Sequence, residues 1–141
     1  MGNLSTLTVS GLLANTTYFF RVGSLNSNNA VNYAASIATS TLADFPVSPS
    51  VHNVFQSSAA LTWGVPSGGS EGYMLQASST HFDGSGSLLS SSTADGSLTT
   101  MTVSGLSANT IYYFRIGSLN WNNILNFTDS GSSSTLANVP A

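Results

Sequence analysis

The chain has 141 residues, of which 41% are hydrophobic, 10% aromatic and only 5% charged, with a formal net charge of −3 and no cysteine. Arg21 and Arg115 are the whole basic content, so the clustered positive charge that nucleic acid draws on is missing, as is the lysine of a phosphate loop. No apolar run approaches the roughly 20 residues that a membrane-spanning helix needs, and disorder is excluded by an apolar fraction large enough to fill a core.

With 27 Ser, 15 Thr and 13 Asn, the solvated face must be made of hydroxyls and amides. Such a surface has little charge repulsion to keep copies apart, which favours contact with like molecules or with glycans.

The first 47 residues copy the last 47. Thr8-Val9-Ser10-Gly11-Leu12 returns as Thr102-Val103-Ser104-Gly105-Leu106, and residues 7–26 match residues 101–120 at 15 of 20 positions, an offset of 94. The match runs on through Asn28-Asn29 with Asn122-Asn123, Thr41-Leu42-Ala43 with Thr135-Leu136-Ala137, and Pro46 with Pro140. Neighbouring units this alike are the mark of a tandem array.

Within the unit the hydrophobic period is two. Tyr18, Phe20 and Val22 alternate with outward residues in the first copy, as Tyr112, Phe114 and Ile116 alternate with Tyr113, Arg115 and Gly117 in the second. Strands are predicted near 47–55, 59–64, 72–79, 86–92, 97–104, 110–119 and 129–136, separated by Pro, Gly, Ser and Asn clusters. Seven short strands in one unit fit an all-β antiparallel sandwich. Residues 1–45 are read as the C-terminal half, the last three strands, of a preceding unit, residues 46–139 as one complete unit, and residues 140–141 as the start of the next.

Pro46 and Pro49 before the first strand, Leu61-Thr62-Trp63 in the second, Glu71-Gly72-Tyr73-Met74-Leu75 in the third, and the run from Val103 to Ile116 together resemble a fibronectin type III domain. The resemblance implies an immunoglobulin-like sandwich of that type over residues 46–139. It also implies a tyrosine corner, carried by Leu106 with Tyr112 and by Leu12 with Tyr18, in which the hydroxyl bonds back to the chain. Trp63 would be the large aromatic of the core, with Tyr73, Leu75, Phe114 and Ile116 around it. The Arg-Gly-Asp adhesion tripeptide of the family is absent. Copies this rich in Ser and Asn are similar in style to the arrays of bacterial surface and secreted proteins.

A half-unit leaves Leu4, Val9, Leu12, Tyr18, Phe20 and Val22 without a facing sheet. The missing strands either precede Met1 in a longer chain or come from another molecule by strand addition or swapping, a head-to-tail contact that does not close.

Signals of catalysis are weak. Gly68-Gly69-Ser70-Glu71-Gly72 matches the string of a nucleophile elbow, but it lies between two strands and not at a strand-to-helix turn. His52 and His81 have no second ligand at metal spacing, and Asp83-Gly84-Ser85-Gly86 offers one carboxylate where a calcium loop gathers several oxygens. No catalytic, cofactor-binding or metal residue is assigned, and no cofactor is expected.

Among surface features, the loop Asn120-Trp121-Asn122-Asn123-Ile124-Leu125 sets Trp121, Ile124 and Leu125 among amides and is the candidate contact loop. Arg21 and Arg115 share one outward strand position, suited to stacking on an aromatic. Asn3, Asn15 and Asn126 head Asn-x-Ser/Thr sequons, Asn126 in a loop, and count as glycan sites only if the source glycosylates.

The expectation is an extracellular or cell-surface structural and adhesive module, not an enzyme. Its repeats would build a stalk, filament or fibril by contact with neighbouring repeats or copies of itself, with glycans as further partners and no membrane insertion. The alternative is a spacer or carbohydrate-contacting region of a secreted polysaccharide-degrading enzyme.

Overall fold

Alternating apolar positions close residues 47–134 into two facing antiparallel sheets, in a computed structural model that describes residues 5–140. The strands in chain order are β1 (Thr17–Phe20), β2 (Gly23–Leu25), β3 (Val31–Tyr33), β4 (Ile37–Ser40), β5 (Val47–Val54), β6 (Ser58–Gly64), β7 (Gly72–Ser78), β8 (Leu88–Thr93), β9 (Thr100–Ser104), β10 (Ile111–Leu119) and β11 (Leu125–Ser134). In the complete unit one sheet runs β11-β10-β7-β8 and the other β5-β6-β9. The fold is an all-β antiparallel sandwich.

Period-two patterning accounts for the core. Ala59, Leu61 and Trp63 of β6 and Met101 and Val103 of β9 face Tyr73, Leu75 and Ala77 of β7 and Tyr112, Phe114 and Ile116 of β10. The Trp63 and Tyr73 rings meet at 5.1 Å between centroids, tilted by 60°. Buried aromatics of this kind supply much of the apolar area that holds two sheets together. Leu106 is buried at the corner, where the Tyr112 hydroxyl accepts the Ser107 amide at 3.1 Å.

Strand limits differ from the sequence expectation at one informative place. The last strand begins at Leu125, four residues earlier than the expected 129, so Leu125 and Asn126 lie on a strand. Their ladder to Leu119 and Ser118 overrides the loop character of an Asn-rich segment. Farther along, Phe114 pairs with Gly131 and Arg115 with Asp129, which leaves Ser130 as the extra residue of a β-bulge beside Gly131 at φ 94°.

The first copy repeats this hairpin in two pieces. Thr17 pairs with Ser40 and Gly23 with Tyr33, the same registers as Ile111 with Ser134 and Gly117 with Phe127. Residues 5–10 take no strand, because their counterpart β9 is held by β6 and among the described residues nothing stands in the place of β6 here. Burial shows the same lack: Val22 is 68% exposed where Ile116 is 0%, and Val9 is 59% exposed where Val103 is 0%. The corner nevertheless forms, since the Tyr18 hydroxyl accepts the Leu13 amide at 2.9 Å, and Leu12 and Tyr18 are half-buried. This corner is a local turn and survives without the opposing sheet.

Burial raises the Tyr73 hydroxyl above its ordinary value of 10.0, the Trp63 side chain offsets part of that and Asp95 adds to it. The Tyr73 hydroxyl donates to the Gly96 carbonyl at 3.0 Å. The unfolded tyrosine loses its proton first, so its stabilisation is complete below pH 10 and is lost as pH rises toward the higher folded value. Tyr73→Phe should cost about 1 kcal/mol at neutral pH through the lost hydrogen bond. It should also lose less stability than wild type between about pH 9 and about pH 11, read as urea midpoints.

Candidate functional site

Where the linker leaves the first copy, it passes over one end of the complete sandwich, and the receiving surface is made of neutral side chains. The Ser118 hydroxyl donates to the Asp44 carbonyl at 2.6 Å, and the Asn126 amide to the Ala43 carbonyl at 2.9 Å. The Asn120 amide nitrogen donates to the Thr41 carbonyl at 3.0 Å and, longer, to that of Ser40 at 3.4 Å. Asn122 reaches the Thr39 hydroxyl at 2.9 Å. From the other side of the joint, the Asn15 amide donates to the Glu71 carboxylate at 3.2 Å. Gly68, at φ 80°, is pressed against the first copy: a Cβ there would stand 3.2 Å from the Ala14 carbonyl oxygen.

Asn120 is the centre of the joint because both ends of its side chain are used. Its Oδ1 accepts the amides of Asn122 at 3.0 Å and Ile124 at 2.8 Å, closing the turn between β10 and β11. That turn, with Asn123 at φ 58°, aims the remaining NH₂ at the linker. Asn120 and Ala43 are each 1% exposed, so the centre of the joint is paired by protein. Among the described residues no cluster of three His, Asp or Glu forms.

The candidate contact residues lie around this centre. Trp121 is 61% exposed at the turn and Ile124 is exposed beside it, whereas Leu125 is half-buried, its side chain over Gly117 with that of Phe127. In the sequence the size of Trp121 outweighs the neighbouring Asn120. Identity between copies was the available signal, for Asn26 repeats as Asn120 while Ser27 is replaced by Trp121. Of the sequon residues, Asn3 lies outside the described residues. Asn15 and Asn126 both spend their amide nitrogens in the joint, and Asn126 stands on β11, not in a loop.

A second group occupies the outer sheet face. The Arg115 guanidinium lies 4.1 Å from the Phe82 ring centre and 4.3 Å from that of Phe127, and its Nε donates to Gln76 at 2.8 Å. Arg21 lies 3.8 Å from Tyr33, the counterpart of Phe127, so the pair is built into the repeat. His81 and Phe82, both at positive φ, are held by the Ser78 hydroxyl, which accepts the Phe82 amide at 2.9 Å. His81 then rests on Tyr113 at 4.5 Å, beside a cleft of about 240 Å³ that Asp129 also lines. The sequence places a loop between the strands 72–79 and 86–92 but not this conformation, since two consecutive positive-φ residues favour Asn, Asp or Gly and here they are His81 and Phe82.

Ser70 braces a turn. Its hydroxyl bonds the Gly72 carbonyl at 2.6 Å and accepts the Gly72 amide at 3.2 Å. Asp83 accepts the backbone amide and hydroxyl of Ser85, each at 2.8 Å, and these bonds, with one to Thr80, hold its carboxyl below the usual range.

The model of the family described as the fibronectin type III domain matches residues 45–130. No curated protein matches the chain. Among solved structures, a segment of two fibronectin type III domains from chicken tenascin is 20% identical with a TM-score of 0.56, covering 85% of this chain and 68% of that one. The fn3 domain of human collagen alpha-1(XX) chain is 19% identical with a TM-score of 0.55, over 68% of this chain and 89% of its own. A structure described as "Myokine structure" is 15% identical with a TM-score of 0.54, over 64% and 95%. At these identities the likeness is one of fold.

The joint yields a direct test. Asn120→Asp keeps the acceptor that closes the turn but replaces the donor with a carboxylate facing two carbonyls. The docking of residues 13–44 should weaken by about 1–3 kcal/mol. Hydrogen exchange at Asn15 and Thr41 should accelerate, while that at Leu75 and Phe114 should stay as in wild type.

Proposed function

The chain belongs to the fibronectin type III family, and from that premise we propose that it is a structural and adhesive module of a stalk or filament outside the cell. Residues 1–45 would be the C-terminal part of one unit, residues 46–139 a complete unit, and residues 140–141 the start of another. The role is geometric and non-catalytic: each sandwich is a rigid link, and length grows with the number of links. The observation that carries this reading is the hydrogen-bonded joint, in which Ser118, Asn120 and Asn126 grip the carbonyls of Asp44, Thr41 and Ala43. A linker meant only as a flexible tether needs no such grip. Further support comes from the two-domain tenascin segment, which covers 85% of this chain where the single collagen domain covers 68%. An extracellular setting agrees with the common use of the family and with a surface of hydroxyls and amides.

A second reading, a carbohydrate-contacting spacer of a secreted enzyme, is favoured by one feature: Trp121, 61% exposed among Asn residues, presents a ring on which a pyranose could stack.

Two measurements decide between them. Small-angle scattering from chains carrying one, two and three complete units should show the maximum dimension growing by a constant step of about 33 Å, the length of a ten-residue strand at about 3.3 Å per residue. A dimension that stays constant as units are added would sink the stalk. For the second reading, binding to a polysaccharide panel should be absent or unchanged by Trp121→Ala if the chain is structural, and abolished by it if the chain contacts sugar.

A further inference from the structure

The residues that make the joint occur twice, and each half of it is also present once in an open form. Ser118, Asn120, Asn122 and Asn126 receive the linker, and 94 positions earlier stand Ser24, Asn26, Asn28 and Asn32. The linker carbonyls belong to Ser40, Thr41, Ala43 and Asp44, and their counterparts are Ser134, Thr135, Ala137 and Asn138.

Both open halves are already shaped. Asn26 Oδ1 accepts the amides of Asn28 and Ala30, each at 2.9 Å, the same turn that Asn120 makes. Its NH₂ is therefore aimed as that of Asn120 is, yet among the described residues it meets no acceptor, and Ser24, Asn26 and Asn32 are all exposed. At the other end, the Thr135 hydroxyl donates to the Ser107 carbonyl at 2.6 Å and accepts the Thr110 amide at 3.0 Å. Thr41 does the same with Leu13 at 2.6 Å and Thr16 at 3.0 Å. The segment after β11 thus leaves its unit as the linker after β4 does. Asn109, at φ 50°, matches Asn15 at φ 46°, but it is exposed where Asn15, against Glu71, is 8% exposed.

We infer that these two open surfaces are docking sites for further copies of the same unit, in the register of the joint seen inside the chain. The carbonyls of Ser134, Thr135, Ala137 and Asn138 take the Ser, Asn and Asn donors of a following unit, and its glutamate takes Asn109. The donors Ser24, Asn26 and Asn32 take the linker of a preceding unit. The occupant is identified by chemistry as well as by repetition. Three neutral donors at this spacing match a linker of backbone carbonyls, and the chain contains that linker at residues 134–138, where the Ala137 carbonyl already accepts the Gln56 amide at 3.1 Å and takes the new donor as its second. Every joint is then alike, and the contact is head-to-tail. This inference rests on the tandem reading and adds to it the residues and register of each contact.

The test extends the full chain by one unit, joining a second copy of residues 46–139 after Val139. The chain has no cysteine, so spin labels can be placed freely: Ala35→Cys with Ser90→Cys spans the existing joint, and Asp129→Cys with the added counterpart of Ser90 spans the new one. Pulsed dipolar spectroscopy should give two narrow distance distributions with the same mean. Asn→Asp at the added counterpart of Asn120 should broaden only the new one. Ser→Ala at the added counterpart of Ser118, which leaves the turn intact, serves the same purpose should the Asp variant fail to fold. A broad distribution at the new joint beside a narrow one at the old, or a narrow one at a different distance, would overturn the inference. Matching joints in a protein whose natural chain carries no further unit would sink the stalk reading and leave this one standing; a natural array with a loose added joint would do the reverse.

Discussion

Backbone carbonyls and amides that leave a strand must find partners, and where other backbone groups do not serve, a chain with 5% charged residues supplies mostly hydroxyls and side-chain amides. The consequences reach from turns to the joint. Tyr18 and Tyr112 fix the corners by accepting amides, Thr41 and Thr135 lock the segment after the last strand to the turn before the hairpin, and Asp95 closes the approach to β9 by accepting the Ser97 amide at 2.9 Å. Asn120 concentrates the same logic: one end of its amide shapes a turn, the other holds a neighbour.

Two kinds of order follow, with different requirements. The corner and the hairpin register are local, so they appear in both copies, even where no opposing sheet covers them. The apolar core is not local. Phe114 and Ile116 are buried only because Leu61, Trp63 and Val103 stand across from them, and Val22 is left open by the lack of such residues. Residues 17–40 therefore hold their hairpin on hydrogen bonds and on the Arg21–Tyr33 pair, and gain further order by docking Asn15 and the linker against the complete unit.

Much of the sandwich was legible in the sequence, because alternation in residues 59–64, 73–77 and 111–116 coincides with the burial it implies. What was not legible depended on long-range partners. Asn126-Phe127-Thr128 reads as loop until its ladder with β10 is known, and the early start of β11 follows from that pairing. Trp121 drew attention by size, yet the turn leaves it largely in solvent, while the smaller Asn120 is buried because a segment 80 residues distant in the chain lies against it. The placement of Arg115 between Phe82 and Phe127 likewise needs the loop after β7 to fold back, which a pattern along one strand cannot reveal.

The neutrality of the joint bears on what it is suited to do. Apart from Asn15 with Glu71, its bonds join uncharged donors to carbonyls or a hydroxyl, so ionic strength has little hold on it. Pairing with backbone carbonyls also relaxes the demand on sequence at the linker: Asp44 in one copy and Asn138 in the other present the same oxygen. The receiving side has no such latitude, since a side chain supplies each donor, and there Ser, Asn and Asn are identical in both copies. A joint divided in this way, exacting on one face and tolerant on the other, lets units vary in their loops while keeping one geometry along an array.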